Sequence, residues 1–184
     1  MTRQTVIAYW LIPSEPAHSI FKRIINQLAR RWNAPVFEPH VTIHVGEDRA
    51  GPPKNAVSAA VRECKRIALE LRGIQHSDQF IKTLFVEFAT SAELSKINDI
   101  IRQAANDCSR YDLKPHLSLL YKNLAVATRC DLAAAINIPL TRVTFDAVKA
   151  VRCVSPTETP ADVDAWRVVA VASGSGDRSD TDTL

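Results

Sequence analysis

Hydrophobic residues follow two different periods along the chain, and segments of the two kinds alternate. Where every second residue is apolar, or a short run is apolar throughout, the pattern predicts a β-strand. These segments are 6–12, 40–45, 67–75, 83–89, 116–121, 140–154 (as one or two strands) and 166–172. Between them, apolar residues that recur every three or four positions predict helices. The alternation indicates a fold that mixes helices and strands.

The helical segments lie at 20–32, at 55–66, after residue 90, and at 131–137. The first carries Ile20, Ile24 and Leu28 on one apolar stripe. The third follows the sequence TSAE, which fits a capping box with Thr90 as the N-cap and Glu93 as its partner. We expect that helix to end near residues 108–111.

Length and composition are those of one domain. The chain has 184 residues, 46% of them hydrophobic, and domains usually run about 100 to 200 residues. We expect 1–172 to form a single domain and 173–184, rich in Gly, Ser and Asp, to be a disordered acidic tail. The net charge is +3, and the three Asp and one Arg of the tail leave +5 on the rest. This small surplus suits an anionic small molecule, whereas long nucleic acids need denser basic clusters.

The apolar runs are too short for a membrane helix. The longest, 6–12 and 168–172, fall well below the ~20 residues that such a helix needs, so we expect no membrane partner. The cysteines lie at 64, 108, 130 and 153 without any C-x-x-C pair, which gives no zinc or dithiol signature. We therefore expect reduced thiols, no metal, no cofactor, and a cytoplasmic monomer.

One short sequence occurs twice in similar form. EPHVTIHV at 38–45 is matched by KPHLSLLY at 114–121, and both read Pro-His-aliphatic-hydroxyl-aliphatic. Because side chains alternate between the faces of a strand, His40 and Thr42 share one face, as do His116 and Ser118. If the two strands are neighbours or are related by a pseudo-two-fold axis, two imidazoles and two hydroxyls converge on one concavity.

Such a set of groups suits the hydrolysis of a phosphodiester. One imidazole can deprotonate water and the other, protonated near pH 7, can protonate the leaving alkoxide. Thr42 and Ser118 can donate hydrogen bonds to the non-bridging oxygens, where charge accumulates. A single H-x-T/S triplet is weak evidence, since such triplets are common in sheets, but two in matching contexts favour a shared site.

Other ring-bearing residues are placed by the same alternation. His44 falls on the face of His40 and Thr42, about 13 Å from His40 along a regular strand, where it lines the cleft or lies at the surface. Trp10 and Trp166 are assigned to core packing rather than to a ligand platform.

The two H-x-T/S triplets resemble those of the two-histidine (2H) phosphoesterase superfamily, and more closely the plant and yeast type cyclic phosphodiesterases. The N-terminal Trp10-x-x-Pro13 unit and the closing segment KAVRCVSPTETPADVDAWRVVAVA at 149–172 are also similar in order and spacing. The resemblance covers about residues 5–172. It implies an α+β, bilobal fold with two pseudo-symmetric lobes, each an antiparallel sheet backed by helices, with the site in the cleft between them.

The resemblance also implies an activity and a set of site residues. The activity is metal-independent opening of ADP-ribose 1″,2″-cyclic phosphate and of nucleoside 2′,3′-cyclic phosphates to monoesters. His40 and His116 would be the acid/base pair, Thr42 and Ser118 would hold the phosphate, and aromatic residues corresponding to Tyr121 and to a position near Phe80 would contact the substrate. Alternation opposes Tyr121, which falls on the face of Leu117 and Leu119 unless the strand bends after Leu120.

Two other functions stay open. An RNA-end phosphoesterase of the same superfamily would act on 2′,3′-cyclic or 2′,5′-linked RNA termini, but it needs a basic, aromatic track that a charge of +5 does not suggest. A non-catalytic module that binds phosphate or nucleotides is the third, and the presence of both histidines and both hydroxyls argues against it.

Overall fold

The computed structural model describes residues 3–109 and 111–174. The strands are β1 (Gln4–Pro13), β2 (Val41–Glu47), β3 (Ile67–His76), β4 (Leu84–Phe88), β5 (His116–Leu120), β6 (Arg142–Ser155) and β7 (Arg167–Ser173). The helices are α1 (Ala17–Trp32), α2 (Pro53–Glu63), α3 (Ala92–Ala104), α4 (Val126–Ala135) and α5 (Pro160–Asp164), with a 3₁₀ turn at Phe80–Lys82. Each predicted strand is therefore present, and 140–154 forms one strand rather than two.

Hydrogen bonds join these strands into one antiparallel sheet in the order β1-β2-β5-β4-β3-β6-β7, and β1 pairs with β6 as well. The expectation of two lobes with separate sheets is wrong, although the α+β class is confirmed. The reason is the length of β6, whose first residues pair with β3 while the remainder pairs with β1 and β7. Strands β2 and β5 are joined where Val41 pairs with Leu117.

The amphipathic helix α1 starts earlier than predicted and turns a different stripe toward the sheet. It begins at Ala17, and its buried positions include Phe21, Ile25 and Leu28. Ile20 and Ile24 are only partly buried. Phe21 and Ile25 thus take the buried places predicted for Ile20 and Ile24, whereas Leu28 is buried as predicted.

Helix α3 is capped by Ser91 and not by Thr90. The Ser91 hydroxyl accepts a hydrogen bond from the backbone N–H of Leu94, which removes one of the unpaired donors of the first turn. The predicted apolar stripe of this helix is confirmed, with Leu94, Ile97 and Ile101 fully buried. The helix ends at Ala104, and Asn106 has a φ of 52°, a left-handed conformation that turns the chain away.

Two helices differ from the prediction. Helix α4 begins at Val126, earlier than predicted. The hydrophobic pattern gave no sign of α5, which starts with a capping box at Thr159.

All four cysteines are free thiols. In the described part of the chain, no helix is long and apolar enough to cross a membrane. Of the predicted tail, Ser173 ends β7 and Gly174 is described, whereas residues 175–184 lie outside the described residues.

Candidate active site

The two copies of the repeated sequence are brought side by side where β2 pairs with β5. Because β2 and β5 run antiparallel with Val41 opposite Leu117, His40 comes next to Ser118 and Thr42 next to His116 on the same face. These four side chains line one cavity of about 260 Å³. The structure thus brings the four predicted residues together, and each histidine lies beside the hydroxyl of the other triplet.

Each imidazole is held by a carbonyl two residues earlier in the chain. Nδ1 of His40 lies 2.6 Å from the Glu38 carbonyl oxygen, and Nδ1 of His116 lies 2.7 Å from that of Lys114. A carbonyl can only accept, so Nδ1 must carry the proton in both rings. In the neutral state Nε2 is then left as an acceptor on each ring, and it is the nitrogen that can take up or release a proton.

Burial sets the charge of both rings. It lowers the pKa of His40 to about 4 and outweighs the hydrogen bond to the Glu38 carbonyl, which raises that pKa, while neighbouring His116 adds a smaller lowering. Burial likewise lowers the pKa of His116 to about 4, and the charge of Lys82 adds to this. Without a ligand both rings are therefore neutral at pH 7, which differs from the expectation that one is protonated. An anion in the cavity opposes this lowering, since it stabilises the imidazolium form.

A β-bulge follows the hydroxyl residue in both strands. In β2, His44 pairs with Tyr9 and Thr42 with Trp10, so Ile43 is an extra residue. In β5, Leu120 pairs with Leu84 and Ser118 with Phe85, which makes Leu119 the extra residue. A bulge shifts the alternation by one residue, so every side chain beyond it changes face. The bulge of β2 is braced by Asn98, whose amide donates to the carbonyl of Ile43.

The first bulge explains why the expected position of His44 is wrong. The side chain is completely buried on the other face of the sheet, and its Nε2 lies 2.9 Å from Oδ2 of Asp107. Val45 takes the place at the cavity that strict alternation gives to His44. Burial alone would raise the pKa of Asp107, but hydrogen bonds from Ser109 and His44 outweigh it and lower that pKa. His44 is therefore part of a buried polar cluster behind the site.

The second bulge brings Tyr121 to the cavity, where the resemblance placed it and strict alternation did not. The ring is 3% exposed and stacks on Phe37 with 3.7 Å between centroids, so Phe37 covers one face of it. Burial raises the pKa of the phenol, which keeps it protonated. Phe80 packs against Tyr121 at 6.1 Å, but its neighbour Ile81 lines the cavity in its place.

Trp10 lies in a small buried hydrophobic cluster with Trp166 packed against it, as assigned, and both rings also line the cavity. Trp10 lies in β1 beside β2 and stacks on His40, with 3.7 Å between ring centroids and 13° between planes. Trp166 meets Trp10 and His40 edge-on at 5.1 and 6.1 Å. In β1, the residues that alternate toward the cavity are Val6, Ala8 and Trp10. Trp10 thus fixes the plane of the His40 ring.

The hydroxyl of Ser118 already has a hydrogen-bond partner. Ser118 Oγ donates a 2.8 Å hydrogen bond to the carbonyl of Ile81, so its proton is already used. Ser118 must rotate away from Ile81 before it can donate to an anion.

Within residues 3–109 and 111–174, no group of three His, Cys, Asp or Glu side chains is arranged as a metal site.

Comparison with known proteins gives the family of the chain and solved structures of similar fold. The sequence pattern of the cyclic phosphodiesterase-like protein family matches residues 5–173. A cyclic phosphodiesterase of Arabidopsis thaliana is 23% identical over 175 residues, which cover 93% of this chain and 96% of that protein. Apo LigT of Escherichia coli has a similar fold, with a TM-score of 0.58 and 15% identity over 94% of this chain and 98% of LigT. LigT complexed with 3′-AMP gives a TM-score of 0.56 at 12% identity, with the same coverage of both chains.

Proposed function

The chain belongs to the cyclic phosphodiesterase-like family and is a phosphodiesterase, and we propose that it opens small cyclic phosphates to phosphomonoesters with His40 and His116 as its acid and base. The proposed substrates are ADP-ribose 1″,2″-cyclic phosphate and nucleoside 2′,3′-cyclic phosphates. The observation that carries the proposal is the pairing of two imidazoles, each with Nδ1 held by a backbone carbonyl, around one cavity.

The reaction needs one proton to be taken up and one to be released. Nε2 of the neutral imidazole accepts a proton from water as its oxygen forms a bond to phosphorus, and Nε2 of the protonated imidazole donates to the alkoxide as the ring P–O bond breaks. The product is a monoester with a free hydroxyl, and the two rings have exchanged protonation states. Exchange with solvent restores them, so no net proton is consumed by the protein.

The negative charge of the substrate allows one of the two imidazoles to be protonated. Both imidazoles are neutral at pH 7 in the free protein, because burial holds their pKa values at about 4. The negative charge of the cyclic phosphate raises the pKa of an adjacent imidazole, so that one ring can enter the reaction protonated. Thr42 and Ser118 would donate to the non-bridging oxygens, Ser118 after it leaves the carbonyl of Ile81.

The cavity walls favour a substrate that carries a nucleoside. Trp10, Trp166, Tyr111 and Tyr121 all line it, and aromatic side chains pack well against the flat faces of bases and sugars. LigT, whose fold is similar, has been crystallised with 3′-AMP and with NADP+. Nucleotide-sized cyclic phosphates therefore fit the proposal better than inorganic or alkyl esters do.

Turnover without metal tests the proposed function. The purified chain, treated with EDTA, should convert ADP-ribose 1″,2″-cyclic phosphate or adenosine 2′,3′-cyclic phosphate to the monoester, as followed by chromatography or phosphorus NMR. Turnover confined to oligonucleotides would favour an RNA-end enzyme, and binding of nucleotides without turnover would favour a non-catalytic module. Either result would contradict the proposal. The cytoplasmic location and the monomeric state stay predictions from the sequence.

A further inference from the structure

A second cavity, of about 460 Å³, lies on the other side of His116. The ring of His116 forms part of the wall of both cavities. The second cavity is lined by basic side chains from three different segments, namely Arg72 of β3, Lys82 of the 3₁₀ turn and Lys114 before β5. We call it the basic groove. His116 is thus the residue that the two cavities share, and a molecule bound beside it lies close to both.

The groove continues the sheet face that carries the histidines. In β4, Phe85 lies opposite Ser118 and Glu87 lies opposite His116. In β3, Gln75 in turn lies opposite Phe85. The floor of the groove thus spans β4 and β3, one and two strands outward from β5, on the side of His116 that faces away from His40.

A third β-bulge gives Arg72 its place in the groove. Leu71 pairs with Phe88 and Gly73 pairs with Glu87, so Arg72 is an extra residue of β3. Gly73 has a φ of +153°, and a Cβ atom there would meet no other atom within 4 Å. The glycine therefore serves the backbone conformation of the bulge and not a close contact. Bulges near active sites re-aim side chains, and this one turns an exposed arginine toward the groove.

The positive charges of the groove outnumber its negative ones. In the part of the chain that the structure describes, Arg72 and Lys82 form no salt bridge, whereas Lys114 pairs with exposed Asp112. Glu87 is the acidic residue of the lining. Lys82 lies 4.5 Å above the ring of Phe85, and burial, together with the charge of Lys114, lowers its pKa. An anion in the groove would relieve this repulsion.

We propose that the basic groove binds the 5′-phosphate of the same ribose whose cyclic phosphate is opened at His40 and His116. The proposal rests on the proposed function, because it extends that site by one group. A ribose with a cyclic phosphate on one edge carries its 5′-phosphate at the opposite end. With the ring phosphate between the histidines, the 5′-phosphate reaches past His116 toward Arg72 and Lys82. That phosphate is the start of a pyrophosphate in ADP-ribose cyclic phosphate and a diester in an RNA end.

A matched pair of substrates tests the groove. Adenosine 2′,3′-cyclic phosphate and the same compound with a 5′-phosphate differ only in the group in question. We expect the wild type to have a kcat/KM about tenfold higher for the 5′-phosphorylated compound, the range of one charge-assisted contact. Arg72→Ala should remove most of that preference while changing kcat/KM for the unphosphorylated compound less than about twofold. Arg72→Lys, which keeps the charge, should retain part of it.

A control variant separates the groove from general charge effects. Arg102→Ala removes a partly exposed arginine of α3 that pairs with Asp99, and it should leave the preference unchanged. A wild type without preference, or an Arg72→Ala variant that keeps the full preference, would overturn the proposal. Two kinds of natural substrate carry a phosphate at this position. A drop in kcat/KM in Arg72→Ala with ADP-ribose 1″,2″-cyclic phosphate supports a pyrophosphate in the groove. A drop with a dinucleotide that ends in a 2′,3′-cyclic phosphate supports a diester there.

Failure of the proposed function would look different. In that case neither member of the pair is turned over, and the groove is tested by binding alone. Calorimetry with adenosine 2′-monophosphate and adenosine 2′,5′-bisphosphate should give a Kd about tenfold lower for the bisphosphate, and Arg72→Ala should remove the difference. Equal affinities for the two compounds in the wild type would overturn the groove proposal, whatever the activity of the chain.

Discussion

Replacing either His40 or His116 by Ala is expected to lower kcat for cyclic phosphate opening by about 10² or more, because each change removes one partner of the proton transfers. The double variant should be only slightly slower than the single ones, since groups that act as one unit are strongly non-additive. The measurement is the steady-state rate on adenosine 2′,3′-cyclic phosphate with EDTA present.

Two controls accompany this prediction. His40 is buried under the ring of Trp10, so His40→Gln, which keeps much of the volume, should be as inactive as His40→Ala while unfolding closer to the wild-type temperature. His18 lies outside both cavities, near Glu15 and Glu38, and His18→Ala should keep nearly full activity. A folded His116→Ala variant with near-native kcat would refute the paired mechanism.

Gly46→Ala is expected to lower the free energy of unfolding by about 3 kcal/mol, because it leaves buried polar groups without their hydrogen-bond partners, at a cost of about 1–3 kcal/mol for each group. A Cβ at position 46 would lie 1.7 Å from Oδ2 of Asp107 and 3.3 Å from Nε2 of His44. The carboxylate must therefore leave His44, which is completely buried, and the imidazole loses its partner. Urea unfolding of the wild type and the variant measures the difference.

A double-mutant cycle shows whether this contact is the cause. Asp107→Ala alone leaves His44 unpaired but makes room for the new methyl group, so Gly46→Ala should cost little more in that background than Asp107→Ala does by itself. The two changes would then be clearly less than additive, as expected for residues in contact. A Gly46→Ala variant as stable as the wild type, or costs that simply add, would contradict this account.

The paired triplets could be predicted to meet because they combine local chemistry with a repeat. His40 with Thr42 and His116 with Ser118 stand in matching contexts, and strand alternation alone puts each pair on one face. The prediction of two lobes was wrong because the pairing of distant strands depends on strand length and register. Nothing in the composition of β6 shows that its first residues pair with β3 and the rest with β1.

The bulges limited what alternation could predict inside the site. Ile43 and Leu119 read as ordinary strand residues, yet each inserts one position into its strand, so His44 and Tyr121 lie on the faces opposite to those predicted. The partner of His44 was equally hidden, because Asp107 comes 63 residues later in the chain. The place of Trp10 at the cavity was hidden as well, because residues 6–12 are apolar throughout and do not show which face of β1 meets the cavity.

In the proposed mechanism His40 and His116 present Nε2 to one common anion. Nitrogen-15 NMR of the two imidazole rings, recorded across pH with and without inorganic phosphate, observes this arrangement. The mechanism requires that both rings carry the neutral-state proton on Nδ1, that both titrate near pH 4 without phosphate, and that phosphate raises both pKa values along one saturation curve. A proton on Nε2 in the neutral state of either ring, or a phosphate response confined to one histidine, would contradict it.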